Sequence, residues 1–254
     1  MQRVEFVGPP GAGKSTIFRE LASAAHRQWD AAQVCTAGEA KRRVLTAGIH
    51  AAGRAKRLAR KLVYSVPVFR HELVVERVPA FAWDLLYERS DLAPLVGHVL
   101  HGSECTGSDQ IHNLRRMQFF VRDITDFALL ERYTRSKVTL HDESLLHRGL
   151  GFAFGSANCR EFLERYCSLV PVPALLVYVT AEPCVLADRI RRRSGEDSPW
   201  LSRLEDAVAL ASLVAERAAD RGARVLTLDG ADGKLSENTA ACVSAVDGML
   251  SHIE

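Results

Sequence analysis

The run from Val4 to Val7, apolar except for Glu5, predicts a buried strand. The spacing changes to a helical one from Ile17 to Ala25, and Gln33 to Thr36 returns as a short strand. Ala51, Ala55, Leu58, Ala59 and Leu62 recur at helical intervals and predict an amphipathic helix. Pro67, Pro79 and Pro94 divide the stretch from Val66 to Gly107 into short helical or irregular pieces. There Phe69, Phe81, Trp83 and Tyr87 pack a small subdomain or line a substrate pocket. A long helix follows from Ser108 to Tyr133, with Ser108 as its N-cap and Ile111, Leu114, Val121, Ile124 and Ala128 on its apolar stripe. Val138 to Leu140 starts a third strand, which ends in Asp142, and Ala174 to Thr180 is a fourth. Pro183 opens the next helix, Ser198 to Arg217 is amphipathic, Arg224 to Leu228 is the last strand, and a closing helix runs from about Ser236. Strands alternating with helices in this way predict an α/β fold with a doubly wound, five-stranded parallel sheet flanked by helices.

Composition adds little to that picture. With 254 residues, 47% hydrophobic and 25% charged, the chain has enough apolar surface for one domain carrying an insertion. The expected division is a single domain with a mostly helical insertion at about 40–135 on the acceptor side and a lid at about 189–200. Six cysteines form no C-x-x-C pair, which fits reduced thiols in a cytoplasm. No spanning segment is visible, and the first motif begins too close to Met1 to leave room for a signal peptide.

Charge placement says more than the net charge of +2. Between Ala40 and Arg70 there is no acid, while Lys41, Arg42, Arg43, Arg54, Lys56, Arg57, Arg60, Lys61 and Arg70 are cationic. This face is a solvated surface or the receiver of an anionic partner: an acidic small-molecule acceptor, or a membrane surface touched peripherally by the 41–61 segment. Nucleic acid fits least, because no recognised module or aromatic platform accompanies the charge. A homodimer is also compatible with this reading. His98, His101 and Cys105 are spaced to share a metal on one helical face, although Gly102 and Gly107 interrupt that helix.

The first chemical signal is Gly8-Pro9-Pro10-Gly11-Ala12-Gly13-Lys14-Ser15-Thr16, a G-x-x-x-x-G-K-[ST] loop set between a strand and a helix. Glycines let Gly8, Gly11 and Gly13 turn backbone N–H groups inward, and Ala12 and Thr16 continue the wrap. Lys14 reaches the outer phosphates and the Ser15 hydroxyl is a ligand for Mg²⁺, so the loop calls for ATP and Mg²⁺. Asp142, at the end of the third strand, would stand beside that loop and complete the metal site. Glu39 follows the second strand, where it reads equally as a general base for an acceptor or as an acid opening the next helix.

Asp142-Glu143-Ser144, followed by Arg148 and Phe152, resembles the third-strand signature of the deoxynucleoside and thymidylate kinases, an acid followed by Arg-Ser or Arg-Tyr. The segment from Thr180 to Pro183, with Arg189 and Arg193 four residues apart, is similar to the same family's strand, Thr-x-x-Pro and lid arginines. The lid segment also reads as a solvated basic helix end. The resemblance implies a P-loop NTPase fold with strand order 2-3-1-4-5. It further implies an ATP-dependent small-molecule kinase in which Arg189 and Arg193 close over the transferring phosphoryl group and Asp229 lies near the adenine. One departure stands out: the family's arginine is Glu143 here, so either Arg148 substitutes for it or the acceptor is held differently. Lys41 to Gly107 matches nothing in the family. The alternatives are a same-fold kinase of a non-nucleoside acceptor (antibiotic, sugar or glycan) and a nucleotide-dependent regulatory ATPase. A GTPase is disfavoured, because no Asn-Lys-x-Asp motif occurs.

Overall fold

In the computed structural model, residues 1–51, 84, 87–102, 110–154, 156 and 158–253 are described. Their five strands are β1 (Gln2–Val7), β2 (Val34–Thr36), β3 (Val138–His141), β4 (Leu175–Thr180) and β5 (Arg224–Asp229). They form one sheet in the order β2-β3-β1-β4-β5, with every pairing parallel. Val4 registers with Leu140 on one side and Leu175 on the other, so β1 is central and covered on both faces. The fold is therefore α/β and doubly wound, with the strand order that the kinase resemblance implied.

Alternate residues of β1 and β4 feed two separate cores. Val4, Phe6, Val177 and Val179 face α1 (Lys14–Gln28), and with them pack Leu186 and Ile190 of one later helix and Val246 of another. Val7, Leu176 and Tyr178 face the opposite layer. There lie α3 (Ala93–Gly102), α4 (Gln110–Tyr133), α5 (Leu145–Ala153), α6 (Cys159–Leu169) and α8 (Leu204–Asp220). Helices α7 (Pro183–Ser194) and α9 (Leu235–Ser251) complete the first layer, and α2 (Ala37–Ala51) packs along α4.

Several features depart from the sequence reading. Strand β1 extends back to Gln2, because Arg3 and Glu5 are buried as a pair and polar residues no longer mark its edge. Glu5 Oε2 also accepts the Leu146 N–H at 3.2 Å, fastening the start of α5 to the central strand. Helices α5 and α6 were not anticipated as separate elements. Helix α5 is apolar on most sides, and Gly149 leaves room for the Tyr166 ring, which an added Cβ would meet at 2.5 Å. The amphipathic helix expected from Ser198 begins only at Leu204, after a turn through Pro199. Leu114 is 73% exposed and so lies off the buried stripe of α4, which instead runs through Phe120, Ile124, Phe127 and Ala128. Tyr87 is also exposed rather than packed.

The basic stretch is only partly visible. Lys41 is buried and paired with Asp126 at 2.6 Å, so it is not part of an exposed cationic face. Arg43 donates to the Ala31 carbonyl. Arg54, Lys56, Arg57, Arg60, Lys61 and Arg70 lie outside the described residues, as do Phe69, Phe81, Trp83, Cys105 and Ser108. His98 stacks on Phe162 and hydrogen-bonds its carbonyl at 2.9 Å, and the described residues hold no cluster of metal-ligating groups around it. Among them no helix is long and apolar enough to cross a membrane.

Candidate active site

The carboxyl ends of β1, β3, β4 and β5 feed loops into one cleft of about 900 Å³, at the point where the sheet's winding reverses. Its floor is the loop from Gly8 to Thr16. Gly13 is the N-cap of α1, in left-handed conformation (φ 92°), and no side chain caps this helix end. The first turn carries no acid, so its N–H groups and the helix dipole are left to an incoming anion. Lys14 Nζ bonds back to the Gly8 and Pro9 carbonyls at 2.8 and 3.1 Å, which holds it inside the loop. Burial lowers its pKa, Arg193 adds to the shift, and Glu143 and Asp142 oppose it. Ala12 is fully buried beneath the loop, and the Thr16 N–H bonds the Gly13 carbonyl to start the helix.

Ser15 and Asp142 come together, close enough for the Ser15 hydroxyl to favour the charged Asp142 carboxylate. Of that carboxylate, Oδ1 is buried and has no hydrogen-bond partner among the described residues. Burial and the adjacent Glu143 raise the Asp142 pKa, with Ser15, Lys14 and Arg19 opposing. An orphaned carboxylate oxygen beside a serine hydroxyl and a phosphate loop is a donor set that suits Mg²⁺, a hard cation that keeps several waters.

Glu143 occupies the next position and lines the cleft. Burial pushes its pKa up, but His147 beside it, followed by Lys14, Arg148 and Arg193, outweighs this and holds it below the ordinary value. His147, one turn along α5, places Nε2 at 3.3 Å from Glu143 Oε1. Burial and the Lys14 charge lower its pKa to about 4, so it is neutral at pH 7. Arg148 turns toward α4, where it pairs with Asp123 and stacks over Phe119, while still contributing to the cleft wall.

Arg189 and Arg193 both reach the cleft from α7. Arg189 bridges the Gly11 carbonyl (3.1 Å) and Asp232 (2.6 Å), while Arg193 is exposed at the mouth and makes no ion pair among the described residues. Asp229 stands just behind the wall: Oδ1 accepts the Ala231 N–H, its carbonyl accepts from Asn238, and the loop Gly230 to Gly233 forms the lining in its place. A Cβ on Gly230 would lie 2.0 Å from the Ala12 carbonyl oxygen, so only glycine lets this loop cross the phosphate loop so closely.

Glu39 is not among the residues brought together. It sits in the first turn of α2, where its carboxylate accepts the Thr36 N–H (3.0 Å) and its own N–H donates to Thr36 Oγ1. His26 lies 3.0 Å from its other oxygen. This reciprocal pair is a capping box, the helix-opening role of the two the sequence left open. Sequence reasoning missed His147, Arg116, Phe119, Phe154 and Trp200, which the fold adds to the cleft wall. The i,i+4 spacing of Glu143 and His147 across a predicted helix start would have been the usable signal.

No family model matches the chain, and no curated protein matches it. Among solved structures, the chain is similar to deoxyadenosine kinase from M. mycoides, solved with the products dCMP and a flexible dCDP bound. The alignment covers 97% of this chain and 99% of that one, at 10% sequence identity and a TM-score of 0.43.

Proposed function

We propose that this protein is a phosphotransferase that binds ATP with Mg²⁺ and passes the γ-phosphoryl group to a small-molecule acceptor. The observation that carries the reading is the meeting, in one cleft and directly behind its wall at Asp142, of three separately encoded parts. These are the Gly8–Thr16 loop, the Ser15–Asp142 pair with its unsatisfied oxygen, and Arg189 and Arg193 on α7. The loop N–H groups and Lys14 would bind the phosphates, and the lid arginines would neutralise charge on the transferring group away from water. Ser15 and Asp142 would hold the metal, which when bound supplies charge neutralisation at the phosphate oxygens.

The reading of a regulatory ATPase without acceptor is less well supported. The cleft continues past the phosphate loop to a wall of Arg116, Phe119, Arg148, Phe154 and Trp200. Its volume is near the upper end of what single-ligand sites occupy, leaving space for a second ligand beside a nucleotide. Whether that ligand is a nucleoside, a nucleotide or another small molecule such as an antibiotic, sugar or glycan is decided by a screen with γ-labelled ATP. Label appearing on an organic product supports the kinase reading. Label appearing only in inorganic phosphate supports the ATPase.

A further inference from the structure

Of the three acids the sequence singled out, Glu39, Asp142 and Glu143, only Glu143 is part of the cleft wall. Among the described residues that wall holds one other acid, Asp232, whose Oδ1 is taken by Arg189 at the opposite end. Glu143 leaves the end of β3 with its side chain 38% exposed toward the open space, facing the side of the loop that carries Lys14. Oε1 lies 3.3 Å from His147 Nε2, and among the described residues Oε2 has no hydrogen-bond or ion-pair partner. His147 is itself fixed, because α5 is bolted to β1 through Glu5 and the Leu146 N–H and to α6 through Tyr166, whose hydroxyl donates to the Leu145 carbonyl at 2.6 Å. One carboxylate oxygen thus lies against a side chain of a rigid element, and the other is presented to the cleft.

Resting on the phosphotransferase reading above, we infer that Glu143, oriented by His147, receives the hydroxyl group of the acceptor. The hydroxyl donates its hydrogen bond to Oε2, which directs an oxygen lone pair toward the γ-phosphorus. The oxygen–phosphorus bond forms, and the bond from that phosphorus to the bridging oxygen breaks. The electron pair of the broken bond leaves with the nucleoside diphosphate, and the hydroxyl proton passes to Glu143 and then to water. An acceptor phosphate would set a second anion against this carboxylate, so the reacting group is a hydroxyl. Glu143 would be a catalytic residue and His147 a positioning one.

The test uses γ-labelled ATP with the wild type, Glu143→Gln, Glu39→Gln, His147→Gln and His147→Leu. The acceptors are matched pairs: nucleosides and sugars against their phosphate esters. Nucleotide affinity is read in parallel with a fluorescent ATP analogue. Glu143→Gln should keep its nucleotide Kd and lose label transfer about 100-fold, whichever acceptor hydroxyl takes the label. His147→Gln, which can still donate to Oε1, should stay within about threefold in kcat, whereas His147→Leu should lose about tenfold in kcat with KM little changed. If Glu143→Gln fails to fold, Glu143→Asp, which withdraws the carboxylate by one methylene, should show the same loss of kcat. Transfer by Glu143→Gln within about threefold of wild type overturns the inference. So does a loss that falls on Glu39→Gln instead, or label confined to phosphate esters. A wild type that binds nucleotide but passes label to no organic acceptor, only to water or to nothing, removes the phosphotransferase reading and this inference with it, and that result is distinct from the others.

Discussion

Asp142 and Glu143 are adjacent, yet the end of β3 sends them to different surroundings. Asp142 turns to Ser15 with a buried, unpartnered oxygen, and Glu143 turns to the open cleft. If Asp142 holds Mg²⁺, Asp142→Asn should reduce Mg²⁺-dependent turnover by a factor on the order of 100. A Mg²⁺ titration identical to wild type would show that Asp142 is structural only. His141, just before them, faces into the fold and is buried against Thr139 Oγ1. Burial, with Arg3 adding, lowers its pKa from 6.5 to about 3. Below pH 6.5 the unfolded chain takes up a proton that the folded chain refuses until about pH 3, so stability falls as pH falls through that window. The slope is about 1.4 kcal/mol per pH unit, or about 2 kcal/mol lost by pH 5. Urea denaturation of nucleotide-free, metal-free protein between pH 8 and pH 5 should show this loss, and His141→Gln should reduce it. Residues of the phosphate loop could be read from the sequence because their chemistry is local and the motif is contiguous. Glu143 could be named but not placed, because its surroundings come from α5, α7 and the phosphate loop together.

At the scale of elements, the strands were legible where they are apolar and lost where they are not. Val4 to Val7 announced β1, but Arg3 and Glu5 disguised its beginning, since their burial depends on each other and on Phe127, under the Arg3 guanidinium 4.7 Å from the ring centroid. Helix α5 was hidden for a related reason: it is short, holds two glycines and is stabilised by Tyr166 of α6 rather than by propensity. The loop after β5 is the element with the sharpest steric demand. Gly230→Ala would drive a Cβ into the Ala12 carbonyl oxygen and force that loop away from the phosphate loop. The expected result is a stability loss of about 1–3 kcal/mol together with weaker nucleotide binding. Thermal melting and a nucleotide titration on the same sample measure both, and an unchanged affinity would show that this loop lies outside the nucleotide site.

Across the whole molecule, the sheet order places β1 between β3 and β4, so the phosphate loop, Asp142 and the α7 arginines reach one side of the sheet from distant parts of the sequence. That convergence is the central claim. A cleft that binds MgATP only when folded must also stabilise the fold: at 100 times Kd, the ligand should add about 2.7 kcal/mol. For a domain of this size the melting temperature should then rise by roughly 5–10 °C. The most direct measurement is calorimetric titration of MgATP into wild type and Lys14→Ala. Lys14 bonds only loop carbonyls here, so its removal takes a charge from the phosphates and little packing from the core. The account predicts one equivalent bound by the wild type and at least about tenfold weaker binding by Lys14→Ala, with the melting curve of the free protein retained. No binding by the wild type, or equal affinity in both proteins, would contradict it.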